Sequence, residues 1–571
     1  MMVRVTSCRK EARCIAARAN ATTSSSSSGP KVAIVGAGWA GFGAAKGLCE
    51  ALEGSGAQVT LLDSIPDPTG RTKMVTASGK PFEAGQRGFW KDYPNINRLV
   101  AELGLQESEI FTEFTGSAFY SPDGLEATAP VFGDAPEFPS PFGQVLATFD
   151  NFKRLPVSDR ATMLGLLLAT LDLYRDEATF ERYDRMTAAE LFERCGMSKR
   201  LVDEFVAPTL RVGLFKDPSE LSAAVSMELL YYYALAHQNS FDVRWIKRGS
   251  IAESIILPMA DRLVQRNGLA IRGSSRVNGV DFDAASGRVN AVRFTDYSSG
   301  SPVEGVLDDL DAVVLALGAK GMKAVMSGSP NLQNAAPELV RASQQDAIDV
   351  VACRLWLDKK VPTLEPANVF SRFEGLRGAG GTFFMLDQLQ KDSEAELWAG
   401  DEIQGSVLAC DFYGADRLMA LDDEGILRLL MEELLPAAEP GFGGAKAVDW
   451  EVRRYPGAVS WFSPGSFSSR PPLETSVRNL MCAGDWVRMG DREHGSKGLC
   501  QERAFVSGLE AANALLGNGS LGSSGRNANR ATVLPVRDDE PQVVLGRQLN
   551  NAKWGALASL GIDPPWLSSE Q

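Results

Sequence analysis

Three glycines near the amino terminus have the spacing of a phosphate-binding turn. They stand in the hexapeptide Gly36-Ala37-Gly38-Trp39-Ala40-Gly41. In such a turn the first glycine allows a tight bend after a strand, the second lets the backbone approach a pyrophosphate, and the third lets the following helix pack closely. Asp63, which lies 25 residues after Gly38, has the offset of a carboxylate that binds ribose hydroxyls. Together these residues predict a dinucleotide-binding site.

The elements that would position this motif are indicated by the residues around it. The run Lys-Val-Ala-Ile-Val at 31–35 is rich in β-branched residues and predicts a strand. A helix is predicted over 44–52, and a second buried strand over 58–62 ends just before Asp63. Strand, helix and strand in this order predict a βαβ unit. A glycine-rich turn in an ordinary α/β sheet is the alternative for this segment taken alone.

Two further segments bear on which dinucleotide is bound. Gly70-Arg71 follows the second strand, and residues 479–486, Asn-Leu-Met-Cys-Ala-Gly-Asp-Trp, predict a strand that ends on Gly484-Asp485. A helix is predicted to follow over 502–513. In these features the chain resembles the FAD-dependent amine oxidase and carotenoid desaturase superfamily.

That resemblance implies FAD as the cofactor. It places Gly70-Arg71 and Gly484-Asp485 against the flavin nucleotide, and it places Val277 on a strand at the adenine side. Considered without the resemblance, Arg71 could equally be a solvated loop arginine and Val277 an ordinary core residue.

Within the superfamily the chain is most similar to carotenoid desaturases, in particular to the desaturase/methyltransferase type that forms aryl carotenoids (isorenieratene synthase-like). The similarity rests on Gly-Asp-Trp at 484–486, on segments of the 502–513 helix, and on residues 82–95. Gln86-Arg87 is a mild departure, since the family often has His or Arg beside the second glycine of this segment, Gly88, and an aromatic pair after it. The resemblance covers most of residues 30–516 and is thin over 106–240 and 325–470.

The predicted fold class is α/β. We expect a Rossmann-like FAD-binding domain of the glutathione-reductase type, discontinuous, with an inserted mixed sheet and a helical substrate domain. A chain of 571 residues has room for about two to four structural units. The predicted parts are a transit peptide (1–29), FAD-binding segments (30–105, 241–324 and 475–516), substrate-domain segments (106–240, mainly helical, and 325–474), and a C-terminal linker and tail (517–571).

Composition argues against several classes of partner. The formal net charge of −14 disfavours nucleic acid, because proteins that bind phosphate backbones present a basic face. The chain has only two histidines, and none of its eight cysteines stands in a C-x-x-C pair, so no metal site is expected. The longest apolar stretch, 161–171, is about half of the roughly 20 residues that cross a bilayer, so we expect no spanning helix, while peripheral membrane contact stays open.

The first 29 residues predict an organelle-targeting leader. Five basic residues stand against one acid, Glu11, and five serines follow at 24–28. Arg- and Ser-rich starts that are poor in acids are typical of transit peptides. The serine content favours a plastid (the chloroplast) over a mitochondrion, and a tail of no consequence is the alternative.

The predicted function is that of an FAD-dependent oxidoreductase that acts on a carotenoid or related prenyl lipid, by desaturation or isomerisation with hydride transfer to flavin. Such an apolar small molecule needs an apolar tunnel, and the helical block with Leu229 and Tyr231 could line it or lie on a membrane. One alternative is an FAD-dependent amine oxidase, with Trp461 and Phe462 as candidate cage residues. The other is a flavin- or carotenoid-binding protein without turnover.

No general base is assigned from the sequence. His494 and Lys497 lie in the loop between the Gly-Asp turn and the last helix and could face the flavin, although an exposed loop histidine is the simpler interpretation of His494. Arg87 and Arg492 are similar candidates.

Two apolar segments have no assigned contact. Leu164, Leu167, Leu168 and Leu171 predict one apolar stripe on a helix, and such stripes usually face the core. The end of the tail, from Trp554 to Trp566, could dock on the body of the protein, on a partner or on a membrane.

Overall fold

A computed structural model of the protein describes residues 29–152 and 154–568. The transit peptide predicted over 1–29 lies outside the described residues except for Gly29. The strands, in chain order, are β1 (Lys31–Val35), β2 (Gln58–Leu62), β3 (Phe89–Trp90), β4 (Ser117–Ser121), β5 (Gly124–Ala129), β6 (Val243–Arg244), β7 (Ala270–Arg272), β8 (Ser275–Asp283), β9 (Arg288–Asp296), β10 (Val303–Leu307), β11 (Ala312–Leu315), β12 (Ala347–Leu357), β13 (Ala367–Phe370), β14 (Gly380–Met385), β15 (Val407–Tyr413), β16 (Ala447–Ser460) and β17 (Leu480–Cys482).

The α-helices, in chain order, are α1 (Trp39–Ala51), α2 (Pro94–Glu102), α3 (Glu107–Ile110), α4 (Phe142–Ala147), α5 (Val157–Ala161), α6 (Leu164–Asp172), α7 (Glu177–Arg185), α8 (Ala188–Arg194), α9 (Lys199–Leu201), α10 (Ala207–Gly213), α11 (Ala223–Ala234), α12 (Leu257–Asn267), α13 (Ala319–Ser327), α14 (Pro330–Ala335), α15 (Pro337–Ser343), α16 (Leu386–Leu389), α17 (Glu394–Leu397), α18 (Asp423–Arg428), α19 (Leu435–Ala438), α20 (Gln501–Gly517), α21 (Gly522–Arg526) and α22 (Pro541–Ala558).

A five-stranded parallel sheet forms the centre of the nucleotide-binding region, with strand order β17-β11-β1-β2-β7. Its β-branched residues Val32 and Ile34 are buried, as expected of a parallel strand that is covered on both faces. The predicted βαβ unit is present as β1, α1 and β2. Because the five strands come from distant parts of the chain, the domain is discontinuous, which confirms the predicted fold class.

A three-stranded antiparallel sheet, β10-β9-β8, stands at the carboxyl end of β2. The backbone N–H of Ser275 on β8 donates to the carbonyl oxygen of Asp63 at 2.7 Å. This contact brings the predicted adenine-side residue Val277 into the neighbourhood of Asp63.

A seven-stranded mixed sheet of order β16-β12-β15-β14-β13-β4-β5 forms the inserted domain. Only the β13–β4 pair among these is parallel. One face packs on α18 and α19 through a core that includes Cys353, Phe412 and Ile426. The other face, which we call the inner face, carries Arg354 and Asp411 and lies toward the loop 83–88 of the nucleotide-binding region.

Helices α5 to α11 form the helical block predicted between about 155 and 240. The apolar stripe predicted on α6 differs from the usual arrangement, since Leu164 is 62% exposed and Leu168 is 42% exposed. Leu166 and Ala169 face the core instead. The stripe therefore forms part of the surface.

The tail docks on the body of the protein. Helix α22 runs beside α6, where the Asn550 amide donates to Asp172 at 3.0 Å. Trp554 and Trp566 are buried, and the Trp566 indole donates to the Tyr183 hydroxyl at 2.6 Å. Across residues 29–152 and 154–568, no helix combines the length and apolarity needed to span a membrane.

Candidate cofactor and active site

The three glycines of the phosphate turn have three different surroundings. Gly36 has a φ of +100°, and a Cβ there would lie 2.3 Å from the carbonyl oxygen of Ala316. At Gly41 a Cβ would lie 1.8 Å from the carbonyl oxygen of Gly36. At Gly38 a Cβ would have no atom within 4 Å. The turn thus needs Gly36 and Gly41 for its own folding, whereas Gly38 borders open space at the start of α1.

Asp63 is bound to the phosphate turn. Its carboxylate accepts hydrogen bonds from the backbone N–H of Ala37 at 2.7 Å and from that of Ile65 at 2.8 Å. Asp63 is partly exposed, so its carboxylate also has access to a ligand beside the turn. The structure therefore brings together the glycine motif and its predicted acidic partner.

Gly70 and Arg71 lie against the start of the helix that precedes β7. Gly70 has a φ of +78°, and a Cβ there would lie 2.3 Å from the Cβ of Ala252. The Arg71 guanidinium forms an ion pair with Asp261 on α12, and 64% of its side chain is exposed. Its predicted contact with the cofactor stays a prediction.

Gly484 and Asp485 lie at the carboxyl end of β17, beside the ends of β1 and β11. Gly484 has a φ of +149°, and its N–H donates to the Ser507 hydroxyl of α20 at 2.7 Å. Burial raises the pKa of Asp485 to about 6, against the attraction of Arg503. Arg503 holds this turn in place, since it donates to the backbone carbonyl of Asp485 at 2.8 Å.

Two helices start side by side at the phosphate turn. A Cβ at Gly508 of α20 would lie 2.0 Å from the carbonyl oxygen of Ala40 on α1, so the helices touch backbone to backbone. At their first residues the Trp39 indole donates to the Gln501 side-chain oxygen at 2.9 Å. Helix amino termini carry a positive potential, so this corner favours an anion such as a pyrophosphate or a reduced flavin ring.

The residues present fit FAD. Open space beside Gly38, two helix amino termini and an acidic side chain at the end of β2 are the features that an adenine dinucleotide requires. Residues Gly36 to Gly41 and Asp63 would hold the nucleotide half, and Gly484-Asp485 with the start of α20 would hold the flavin half. We infer these roles from position, and they stay predictions.

A buried carboxylate that the sequence interpretation missed links this corner to α2. Glu502 is fully buried and accepts hydrogen bonds from the backbone N–H groups of Asn95 and Ile96 at 2.8 and 2.9 Å. It also accepts one from the Asn95 side chain at 2.7 Å. Burial raises the pKa of Glu502 to about 7. Glu502 thus accepts the hydrogen bonds of backbone N–H groups at the start of α2. Nothing in its sequence neighbourhood indicates this role, because its partner Asn95 lies 407 positions away.

The loop 85–88 connects the cofactor corner with the inner face of the seven-stranded sheet. The Gln501 side-chain amide donates to the Gly88 carbonyl oxygen at 3.0 Å. The backbone N–H of Gln86 donates to the Asp411 carboxylate at 2.9 Å. Burial raises the pKa of Asp411 to about 6, opposed by this hydrogen bond and by the charges of Arg354 and Arg87. The loop 85–88 therefore links Asp411 to the corner that is expected to hold the cofactor.

The candidate bases of the 490s loop have structural partners instead. His494 is buried; its Nδ1 accepts from the Ser496 N–H at 3.2 Å, and its Nε2 lies 3.0 Å from the Leu534 carbonyl oxygen of the tail. Burial lowers the pKa of His494. Lys497 forms an ion pair with Glu493 at 2.6 Å. The interpretation of His494 as an exposed loop residue is wrong.

The comparison with known proteins bears on this geometry. A family model described as flavin containing amine oxidoreductase matches residues 40–516. The chain belongs to the flavin-containing amine oxidoreductase family. The match runs from the second residue of α1 through the Gly-Asp turn to the last turn of α20, and it ends before the tail.

Curated relatives include carotenoid enzymes. The chain is 24% identical over 470 residues to a 15-cis-phytoene desaturase of Synechococcus elongatus, covering 80% of this chain and 91% of that protein. It is 26% identical over 505 residues to a carotenoid phi-ring synthase of Streptomyces griseus, covering 85% of this chain and 88% of that protein. These relatives confirm the predicted superfamily.

Among solved structures, cyclohexylamine oxidase from Brevibacterium oxydans superposes with a TM-score of 0.58 at 15% identity, over 85% of this chain and 98% of that one. This likeness concerns the fold alone. Family and fold together make the protein an FAD-dependent oxidoreductase. Within the described residues, no group of three or more His, Cys, Asp or Glu side chains is arranged to hold a metal ion.

Proposed function

We propose that this protein is a plastid flavoenzyme that acts on a carotenoid or related prenyl lipid, by desaturation or isomerisation. The observation that carries the proposal is that carotenoid-enzyme relatives align with 80 to 85% of the chain. The plastid assignment is supported by the composition of residues 1–29.

In this reaction the protein's own residues would position the cofactor and the substrate. When bound, the flavin supplies a two-electron acceptor for a hydride. The paired starts of α1 and α20 would hold the cofactor's negative charge, and the loop 85–88 connects the cofactor corner to the inner face. The substrate would lie on the inner face beside that loop, where orientation of a C–H bond is the main contribution that a protein can make.

The amine oxidase alternative finds less support. An aromatic cage needs two rings that face one another across the substrate, yet Trp461 and Phe462 are committed elsewhere. The Trp461 indole donates to the Glu220 carbonyl oxygen at 2.9 Å, and the Arg470 guanidinium lies 4.3 Å from the centre of the buried Phe462 ring. Neither ring is free to receive an amine.

A membrane face is part of the proposal. Helices α4 to α6 and α22 expose large apolar side chains, and Ser140 joins the two regions because its carbonyl oxygen accepts from Gln542 at 3.0 Å. The exposed apolar residues of this face are Phe138, Phe142, Val145, Leu146, Phe149, Val157, Leu164, Leu168, Val544, Leu545 and Leu549. A contiguous apolar surface of this kind marks an interaction site, and a lipid-soluble substrate makes a bilayer the partner that we propose.

Turnover separates the candidate functions. The flavin-loaded protein is incubated with carotenoids and with amines, under air and with a quinone, and the products are analysed. Loss of hydrogen from a carotenoid, or its isomerisation, supports the proposal. Hydrogen peroxide with an aldehyde identifies an amine oxidase, and retention of flavin without any turnover identifies a binding protein.

Flotation with vesicles of phosphatidylcholine and phosphatidylglycerol tests the membrane face. We expect the double variant Phe142→Ser, Leu146→Ser to lose flotation, because apolar burial contributes about 25 cal/mol per Å². The matched control is Val303→Ser, Val306→Ser, which changes two similarly exposed apolar residues on the three-stranded sheet. Equal flotation of the two variants contradicts this assignment. A plastid address is tested by fusing residues 1–29 to a fluorescent protein, and cytosolic fluorescence would contradict it.

A further inference from the structure

The inner face of the seven-stranded sheet carries hydrogen-bonding side chains that have no role so far. Asp411 on β15 pairs with Ala352 on β12, and Ala352 pairs in turn with Arg453 on β16. Side chains two positions apart along a strand share a face, so Arg354 and Tyr413 flank this row. We call this set the polar strip, and it consists of Arg354, Thr382, Asp411, Tyr413, Arg453 and Tyr455.

Three donors of the polar strip have no hydrogen-bond partner among the described residues. They are Nε of Arg354, a residue that is 5% exposed, the buried hydroxyl of Tyr455, and Nε of Arg453, which is ion-paired with Glu451. Asp411 is 1% exposed and accepts the Gln86 N–H through Oδ2, while its Oδ1 accepts no hydrogen bond from the described residues. Buried polar groups in folded proteins nearly always have partners, because leaving one without a partner is costly. The strip therefore offers free hydrogen-bond donors and one free acceptor. These suit a ligand group that can both accept and donate a hydrogen bond.

The strip lies between apolar surfaces of the same sheet face. On one side, Trp356 and Phe384 belong to a buried apolar cluster. On the other side, Phe119 and Val369 belong to a second one. A ligand that spans the face meets apolar, polar and apolar surface in turn.

A hydrocarbon polyene offers no atom that could satisfy the polar strip. A hydroxyl group does, because its oxygen can accept from the Tyr455 hydroxyl while its hydrogen is donated to Asp411. We propose that the polar strip binds a hydroxyl group on the end ring of a polyene, so that the substrate is an oxygenated carotenoid rather than a hydrocarbon. This inference rests on the proposed function and narrows its substrate class.

Binding of a matched ligand pair tests the inference. The ligands are β-carotene and zeaxanthin, which share one polyene and differ by a hydroxyl on each ring. Both are presented in the same detergent micelles to the flavin-loaded protein, and quenching of tryptophan fluorescence reports affinity. We expect zeaxanthin to bind about tenfold more tightly, the effect of one net hydrogen bond.

Two tyrosine variants locate the effect. Tyr455→Phe removes a hydroxyl that has no partner, so the fold should be kept, and it should lower zeaxanthin affinity about three- to tenfold without changing β-carotene affinity. Tyr413→Phe is the matched control on the same face, because the Tyr413 hydroxyl already bonds to Thr382 at 3.0 Å. It should keep the preference for zeaxanthin.

Each other outcome overturns a defined statement. Equal affinity for both polyenes, unaffected by Tyr455→Phe, overturns the inference and leaves the proposed function standing. A Tyr455→Phe variant with a shifted flavin spectrum or a lower FAD affinity in the absence of polyene shows that the strip binds the flavin, which also overturns it. If neither polyene binds, the proposed function fails, and the inference fails with it.

Discussion

Alanine at two neighbouring glycines of the phosphate turn should have opposite consequences. At Gly38 the new methyl group enters open space, and the backbone φ of −78° suits any residue. Gly38 is the N-cap of α1, where alanine costs about 0.5–1 kcal/mol relative to glycine. Alanine also lowers the backbone entropy of the unfolded chain, which offsets this cost by about 0.4–1 kcal/mol. The free energy of unfolding of the cofactor-free protein should therefore change by less than about 1 kcal/mol.

The same substitution should strongly weaken cofactor binding. If a pyrophosphate crosses Gly38 at backbone distance, the methyl group occupies its place. Loss of this contact and of the helix amino terminus behind it should reduce FAD affinity at least about 100-fold, which corresponds to about 3 kcal/mol. FAD affinity is measured from flavin absorbance and from quenching of flavin fluorescence.

Gly41→Ala is the contrasting variant. Its methyl group would lie 1.8 Å from the Gly36 carbonyl oxygen and 3.4 Å from Leu61 Cδ1. Overpacking of this kind costs about 1–3 kcal/mol or more, against a helix-propensity gain of about 1 kcal/mol. We therefore expect Gly41→Ala to unfold at a lower temperature and Gly38→Ala at nearly the wild-type temperature. A Gly38→Ala protein that binds FAD normally would refute the placement of the pyrophosphate.

Three other predictions concern stability. Burial raises the pKa of Glu502 from 4.5 to about 7. The buried carboxyl therefore lowers the free energy of unfolding increasingly as the pH rises from about 4.5 to about 7, and it has no such effect below about pH 4.5. Over this pH range the free energy of unfolding of Glu502→Gln, measured by chemical denaturation, should rise relative to that of wild type by up to about 3 kcal/mol. The same pH dependence in both proteins would contradict the assigned pKa. Trp566→Ala should lose about 3–5 kcal/mol, whereas Leu560→Ala, at a residue 72% exposed, should stay within about 0.5 kcal/mol in the same unfolding assay. FAD at about 100 times its dissociation constant should raise the free energy of unfolding by about 3 kcal/mol, and an unchanged thermal midpoint would exclude binding to the native state.

The cofactor site is the part of the protein that local sequence predicts best. The turn at Gly36 to Gly41 follows from rules that act over a few residues, since a strand, a bend and a helix start each have their own residue preferences. The same holds for the strand that ends on Gly484-Asp485. The family match confirms the cofactor that the resemblance to FAD enzymes implied.

The substrate side was predicted only in outline. Asp411 stands in a strand between Cys410 and Phe412, and nothing in this local pattern says that its carboxylate reaches Gln86, 325 positions earlier. The α6 stripe shows the same limit, because periodicity predicts that Leu164 and Leu168 share a helix face but not whether that face is covered. Burial is a property of the assembled chain.

The sequence by itself determined that the protein binds a dinucleotide, and its resemblance to FAD-dependent enzymes implied that the dinucleotide is FAD and that the domain holding it is discontinuous. The dinucleotide motif is short, and its geometry is set by neighbouring residues. Only the tertiary structure decided that Glu502 accepts hydrogen bonds from the start of α2, that the tail docks on Tyr183, and that buried polar groups line the inner face. Their physical reason is the same in each case: a buried polar group is stabilised by whichever partner the fold brings within hydrogen-bonding distance, and that partner lies far away in the chain.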